Sequence, residues 1–292
     1  MSLRGIDTSK WQAGLSDTNI SADFIIFKAT EGVGYVDPDC AGSYEEAKQA
    51  GKLLGVYHFA RPDGNDPISE ANFFVDNVLG YIGEAVLALD WETEPKGNVA
   101  WAKQWLDHVF ARTGVHPIIY MSLSTVNQYD WSSVAVDYAL WVARYWDMAT
   151  DLNYDMTNAG PAPDANWANG YAMWQWTSTG RIDGYGGNLD CSIFYGDATS
   201  WHAFARVRTD TPAPAPAPVP TPAPEPVILT PVPIVVIPPV IDPAPVTPVP
   251  PVVTPVVVPP VTAPPVIPVV IAKPSFWQLL IQFFINLFKR NK

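Results

Sequence analysis

Ala85-Val-Leu-Ala-Leu-Asp-Trp-Glu92 is an apolar run that ends in two carboxylates two residues apart. Side chains on a strand alternate between its faces, so Asp90 and Glu92 project to one side and Trp91 to the other. Two acids at the end of so apolar a strand are costly unless they face a cleft. Their mutual repulsion raises one pKa, which sets a protonated acid beside a carboxylate.

Outward from this run, short apolar stretches recur near 4–7, 24–29, 54–59, 117–121, 139–143, 171–176 and 190–195. Helical patterns separate them and are clearest at 42–52, 68–81 and 98–113. In the second of these, Ala71, Phe74, Val75, Val78 and Leu79 recur at three and four. Alternating strands and helices predict an α/β fold, here an irregular TIM-like barrel of eight strands with the run at 86–91 as its fourth. Gly180-Arg-Ile-Asp-Gly-Tyr-Gly-Gly-Asn188 has no room for a crossover helix, so the last two strands are predicted to be antiparallel. That reversal brings Asp190, at the start of its strand, to the rim where the parallel strands end, and α/β barrels gather their active sites at that rim. Asp183, inside the glycine-rich stretch, reads as turn chemistry.

The chain has 292 residues, and its composition divides it. Of 31 prolines, 24 lie between Thr211 and Pro274, whereas 11 of 12 tryptophans and all 12 tyrosines precede residue 211. A catalytic domain over 1–210, an extended linker over 211–274 and a C-terminal segment over 275–292 are expected. Residues 1–210 carry 27 acidic and 13 basic side chains, a net charge of −14 that argues against nucleic acid as a partner. The Ala-Pro and Val-Pro repeats favour polyproline II and would reach about 200 Å at full extension. In the last segment Gln278, Gln282 and Asn286 form a polar stripe four apart on an otherwise apolar, amphipathic helix ending in Lys289, Arg290 and Lys292. Its apolar part would be about 20 Å long against a hydrocarbon core of roughly 30 Å, so it is too short to span a bilayer. Contact with a membrane or envelope surface is expected instead, with self-association or docking on the barrel as the alternatives. Cys40 and Cys191 read as buried apolar residues rather than a disulfide framework. Met1-Ser-Leu-Arg-Gly-Ile-Asp7 shows no leader, so synthesis in the cytoplasm is expected.

Asp7 also ends an apolar run, and with Asp90, Glu92 and Asp190 it makes four acids predicted to share one rim. Tyr57, His58, Trp141, Trp174, Gln175 and Trp176 lie at or near other strand ends. Aromatic faces beside hydrogen-bonding groups suit sugar rings, which have apolar faces and polar edges. Paired carboxylates with different pKa values are what glycoside hydrolysis requires. No other His or Cys stands at ligand spacing from His58, so neither a metal nor another cofactor is expected.

Six ordered motifs together resemble glycoside hydrolase family 25, the Chalaropsis-type lysozymes. They are Gly5-Ile-Asp-Thr-Ser-Lys-Trp-Gln12, Phe24-Ile-Ile-Phe-Lys-Ala-Thr-Glu-Gly32, Gly55-Val-Tyr-His-Phe59, Leu89-Asp-Trp-Glu92, Met173-Trp-Gln-Trp176 and Leu189-Asp-Cys-Ser-Ile-Phe194. The resemblance implies hydrolysis of the β-1,4 bond between N-acetylmuramic acid and N-acetylglucosamine in bacterial peptidoglycan. Carried over by motif, Glu92 is the general acid, Asp90 stabilises or positions the reacting sugar, and Asp7 and Asp190 complete the acidic ring. Tyr57 and the tryptophans would line the glycan groove. With no leader, a bacteriophage endolysin that degrades the wall after release and lyses its host is expected ahead of a secreted autolysin. A chitinase-like barrel acting on N-acetylglucosamine polymers is the enzymatic rival, although Ala88 stands where a longer acidic signature would continue. A glycan-binding protein without hydrolysis is the rival of another class.

Overall fold

The computed structural model describes residues 2–208. The linker expected over 211–274 and the helix expected over 275–292 lie outside the described residues. Among the described residues there are ten strands: β1 (Leu3–Thr8), β2 (Phe24–Glu31), β3 (Tyr35–Val36), β4 (Leu53–Phe59), β5 (Val86–Asp90), β6 (Ile118–Ser122), β7 (Leu140–Ala143), β8 (Asp151–Leu152), β9 (Tyr171–Arg181) and β10 (Leu189–Phe194). Eight of them close a barrel. β1, β2, β4, β5, β6, β7 and β9 run parallel in that order, and β10 closes the ring antiparallel to both β9 and β1. The two short strands lie off the ring, β3 against β2 and β8 against β9. They were not anticipated, because two residues carry no period.

Period-2 alternation divides the barrel strands, interrupted by register shifts where β2 meets β4, β7 meets β9 and β9 meets β10. On β5, Val86 and Ala88 face the barrel interior, while Leu87, Leu89 and, just beyond the strand, Trp91 pack outward under the helices. The helices are α1 (Cys40–Gln49), α2 (Pro67–Val78), α3 (Val99–Thr113), α4 (Leu123–Gln128), α5 (Ser132–Ala135) and α6 (Ala198–Ala205). Asp66 starts α2 by accepting from the N–H groups of Ile68 (3.0 Å) and Ser69 (3.2 Å), with Pro67 preset for the first turn. Ala71, Phe74, Val75 and Val78 are buried as their spacing predicts. Leu79 corrects that pattern: the helix stops at Val78, a 3-10 turn follows, and Leu79 is exposed.

α6 closes the amino-terminal end of the barrel. Its Trp201 is fully buried, stands 4.5 Å from the Phe24 ring, and donates its indole N–H to the Leu54 carbonyl at 3.1 Å. A plug at one end leaves the other free for chemistry. Gly5 leaves room for this interior, since a Cβ there would lie 2.3 Å from the Phe24 ring. Cys40 and Cys191 are both free thiols and both buried.

Candidate active site

Inward-facing residues near the carboxyl ends of the parallel strands meet the start of the reversed β10 around one rim. Asp7 of β1 lies directly opposite Asp190 of β10 in the antiparallel register. Asp90 of β5 lies beside Tyr120 of β6, and Tyr120 beside Trp141 of β7. Lys28 of β2 pairs with Tyr57 of β4. These residues, with Gln175 of β9 and Glu92 just beyond β5, line one cleft of about 280 Å3. The reversed β10 therefore does what its turn predicts and delivers Asp190 to the rim where β1 and β5 end.

Gln175 ties the floor together. Its amide nitrogen donates to Asp7 Oδ2 at 2.6 Å, and its carbonyl oxygen accepts from the Tyr120 hydroxyl at 2.8 Å and from the Tyr145 hydroxyl. Trp141 donates its indole N–H to Ser192 Oγ at 3.1 Å and meets Tyr120 edge-on at 4.8 Å, so the floor is fixed from two sides. Among the described residues Asp90 Oδ1 is buried without a hydrogen-bond partner.

Loss of water is the main influence on all four acids. Burial pushes Asp7 well above the usual carboxylate range, the negative charge of Asp190 adds to this, and the bond from Gln175 opposes it. Asp90 is raised in the same direction by burial and then by Glu92. Asp190 is pushed up to about 7 by burial and by Glu92. Glu92 reaches the open mouth of the cleft, yet the walls still remove enough water to raise it, against the pull of Lys96, Lys28 and Arg61. The cluster thus holds protons at a pH where isolated carboxyls have lost them. An acid beside carboxylates in a sugar-sized cleft is the equipment for cleaving a glycosidic bond.

The sequence profile of glycosyl hydrolases family 25 matches residues 6–185. The chain belongs to this family. Lysozyme M1 of Streptomyces globisporus is 28% identical over an alignment of 221 residues that covers 70% of this chain and 71% of that protein. The crystal structure of the bacterial lysozyme from Streptomyces coelicolor superposes with a TM-score of 0.58 at 27% identity, covering 70% of this chain and 96% of that one. The catalytic domain of endolysin ply40, from a bacteriophage of Listeria monocytogenes, gives a TM-score of 0.56 at 26% identity, with 70% and 98% covered.

Within this family-25 barrel, Asp7, Asp90, Glu92, Asp190, Tyr57, Trp141 and Gln175 line the cleft as the sequence predicts. Three other expectations are corrected. His58 is fully buried behind the barrel wall, where it bonds Glu70 Oε2 at 2.8 Å and Thr30 Oγ1 at 2.7 Å. Trp174 and Trp176 flank Gln175 on β9 and face the outer core, Trp174 donating to the Arg144 carbonyl at 3.0 Å. Alternation is the physical reason: where Tyr57 and Gln175 point in, His58, Trp174 and Trp176 point out.

The structure also brings in residues that the sequence reading missed. Lys28 carried a signal, since it shares the inward parity of Phe24 and Ile26 and directly follows four apolar residues of the strand. Tyr120 and Phe59 likewise share parity with their neighbours in the interior. Trp11 stands 78% exposed at the mouth, held there by a capping box in which the Ser9 N–H donates to Gln12 Oε1 at 3.0 Å. Tyr145 comes from a loop beyond β7, and no periodicity could have placed it.

Proposed function

We propose that the chain is an N-acetylmuramidase that hydrolyses the β-1,4 bond between N-acetylmuramic acid and N-acetylglucosamine in peptidoglycan. The observation that carries this reading is the convergence of Asp7, Asp90, Glu92 and Asp190 on one cleft in a family-25 barrel. Glu92, at the mouth and raised in pKa, protonates the bridging oxygen. Asp90 sits deeper, and its unpartnered oxygen is an acceptor for the substrate's acetamido N–H. Asp190, whose carboxyl is pushed only to about 7, supplies negative charge near the sugar carbon as it becomes cationic, and the Gln175 bond fixes the direction of Asp7 beside it. Tyr57 and Trp141 give the sugar apolar walls, with the Tyr57 phenol kept neutral by burial and the surrounding acids.

The test is digestion of purified peptidoglycan, borohydride reduction, and mass spectrometry of the products. Reduced muramic ends are the expected result. Reduced glucosamine ends would reject the assignment, and no new ends would favour a glycan-binding protein.

The wider setting is also our proposal: a bacteriophage endolysin, made in the host cytoplasm, that degrades the wall at lysis. Support comes from the likeness to a bacteriophage catalytic domain. Turbidity loss after induction in a susceptible host, absent for a Glu92→Gln variant, tests it. Residues 275–292, whose sequence is apolar and ends in Lys289, Arg290 and Lys292, are proposed to supply envelope contact. Deleting them should leave cleavage of soluble fragments unchanged and weaken co-sedimentation with anionic vesicles. Equal sedimentation of both chains would reject membrane contact.

A further inference from the structure

One bank of the cleft carries an unbroken run of cation–ring contacts. Lys10 Nζ lies 5.1 Å from the Trp11 ring and 5.2 Å from the Tyr35 ring. Lys28 Nζ lies 5.5 Å from Tyr35 and 4.5 Å from Phe59, and the Arg61 guanidinium 4.7 Å from Phe59. Trp11, Lys28 and Phe59 line the cleft itself. Two carboxylates brace the run. Glu31 accepts from Lys28 Nζ at 2.6 Å and from Arg61 Nε at 2.8 Å, while Asp37 Oδ2 accepts from the Lys10 N–H at 3.2 Å and the Tyr35 hydroxyl at 3.4 Å. Asp39 also lies within electrostatic reach of Tyr35, so the bank offers three cations held in place among carboxylates, beside a floor of four acids in a domain of net charge −14.

Three of the 13 basic side chains in residues 1–210 gathered along one bank of the cleft need a reason in a domain with 27 acids. Cations held over rings are already ordered, so a ligand carboxylate meets them with little further loss of side-chain freedom. The exposed face of Trp11 adds an apolar surface at the mouth. Of the two sugars in the proposed substrate, N-acetylglucosamine is neutral. Only the muramoyl sugar bears an acidic arm, the lactyl group at its O3, which ends in its own carboxylate or in a short peptide that carries carboxylates.

We propose that the bank from Lys10 to Arg61 binds the carboxylate-bearing arm of the muramoyl sugar and so selects which sugar of the strand enters beside Glu92. This rests on the muramidase reading and deepens it. An acidic floor repels such an arm and the ordered cations of the flank attract it, so the two together orient the strand.

The test compares the full chain with Lys10→Gln, Arg61→Gln and the double variant, none of which alters an acid of the cleft. Three substrates are used: soluble glycan fragments with their peptides, the same fragments stripped by an amidase, and fragments whose carboxyls are converted to neutral methylamides. The double variant should lose about tenfold more in kcat/KM on carboxylate-bearing fragments than on the neutral ones, mainly through KM, and any loss on the neutral ones measures the effect of Arg61 on the Glu92 carboxyl. Arg61→Lys, which keeps the charge, should retain most of the activity. Loss confined to peptide-bearing fragments assigns the contact to peptide carboxylates, and loss on stripped fragments as well assigns it to the lactyl carboxylate. Equal loss on neutral fragments, or no loss on any, overturns the proposal. A wild-type chain that releases no reduced muramic ends would instead reject the muramidase reading.

Discussion

At the scale of single residues, position along a strand decides role more than chemical type does. His58 is the clearest case: a histidine beside the acidic rim, yet one that spends its hydrogen bonds on Glu70 and Thr30. Its imidazole is held below the usual histidine range by burial, with Glu70 opposing, so it stays neutral. Replacing it with alanine strips the buried Glu70 carboxylate of a partner and should cost roughly 3–5 kcal/mol in urea denaturation. The kcat of the folded fraction should stay within a few fold of wild type, and a loss as large as that of a catalytic acid would return His58 to the cleft. Asp190 should behave in the opposite way. Its carboxyl is raised from 3.8 to about 7, so the folded chain binds more protons there than the unfolded chain does. Its favourable contribution is complete below about pH 4 and is lost as pH rises through about 7. Asp190→Asn should therefore melt several degrees higher than wild type at pH 8 and at the same temperature near pH 4, which thermal unfolding at both pH values will show. Activity should fall in the same variant, the usual cost of removing strained charge from an active site.

The elements of the barrel were legible because their patterns are strong. Eight strands and three helices are found within a few residues of where periodicity puts them, and the glycine-rich turn before β10 foretold its reversal. Asp90 and Glu92 were separated from Trp91 by alternation alone. Applied to β9, the same alternation excludes Trp174 and Trp176 once Gln175 is taken as inward, so that error lay in admitting both faces of one strand. The exact partners of other features could not be read locally. The Tyr145 loop, the pairing of Asp7 with Asp190 and the Lys10 to Arg61 run all depend on residues brought together from distant parts of the chain. α6 shows what an element contributes beyond its own length, since Trp201 fills the end of the barrel opposite the acids. Trp201→Ala should cost about 3–5 kcal/mol by denaturant titration, as large-to-small changes in a core do. A loss below about 1 kcal/mol would mean that the barrel end does not depend on this plug.

For the whole molecule, the fold separates stability from chemistry. Helix-facing residues and the α6 plug carry the packing, while the opposite rim collects four acids whose mutual repulsion the barrel must hold. Loss of water at the cleft walls is what raises Glu92 at the mouth of this sugar-sized cleft, against the pull of Lys96, Lys28 and Arg61. The most direct test is the rate of peptidoglycan fragment cleavage by Glu92→Gln, measured beside fragment binding by the same variant. Cleavage should fall by about 10² to 10⁴ while the dissociation constant changes only a few fold. Cleavage near the wild-type rate in a variant that binds normally would contradict the assignment of Glu92 as the proton donor.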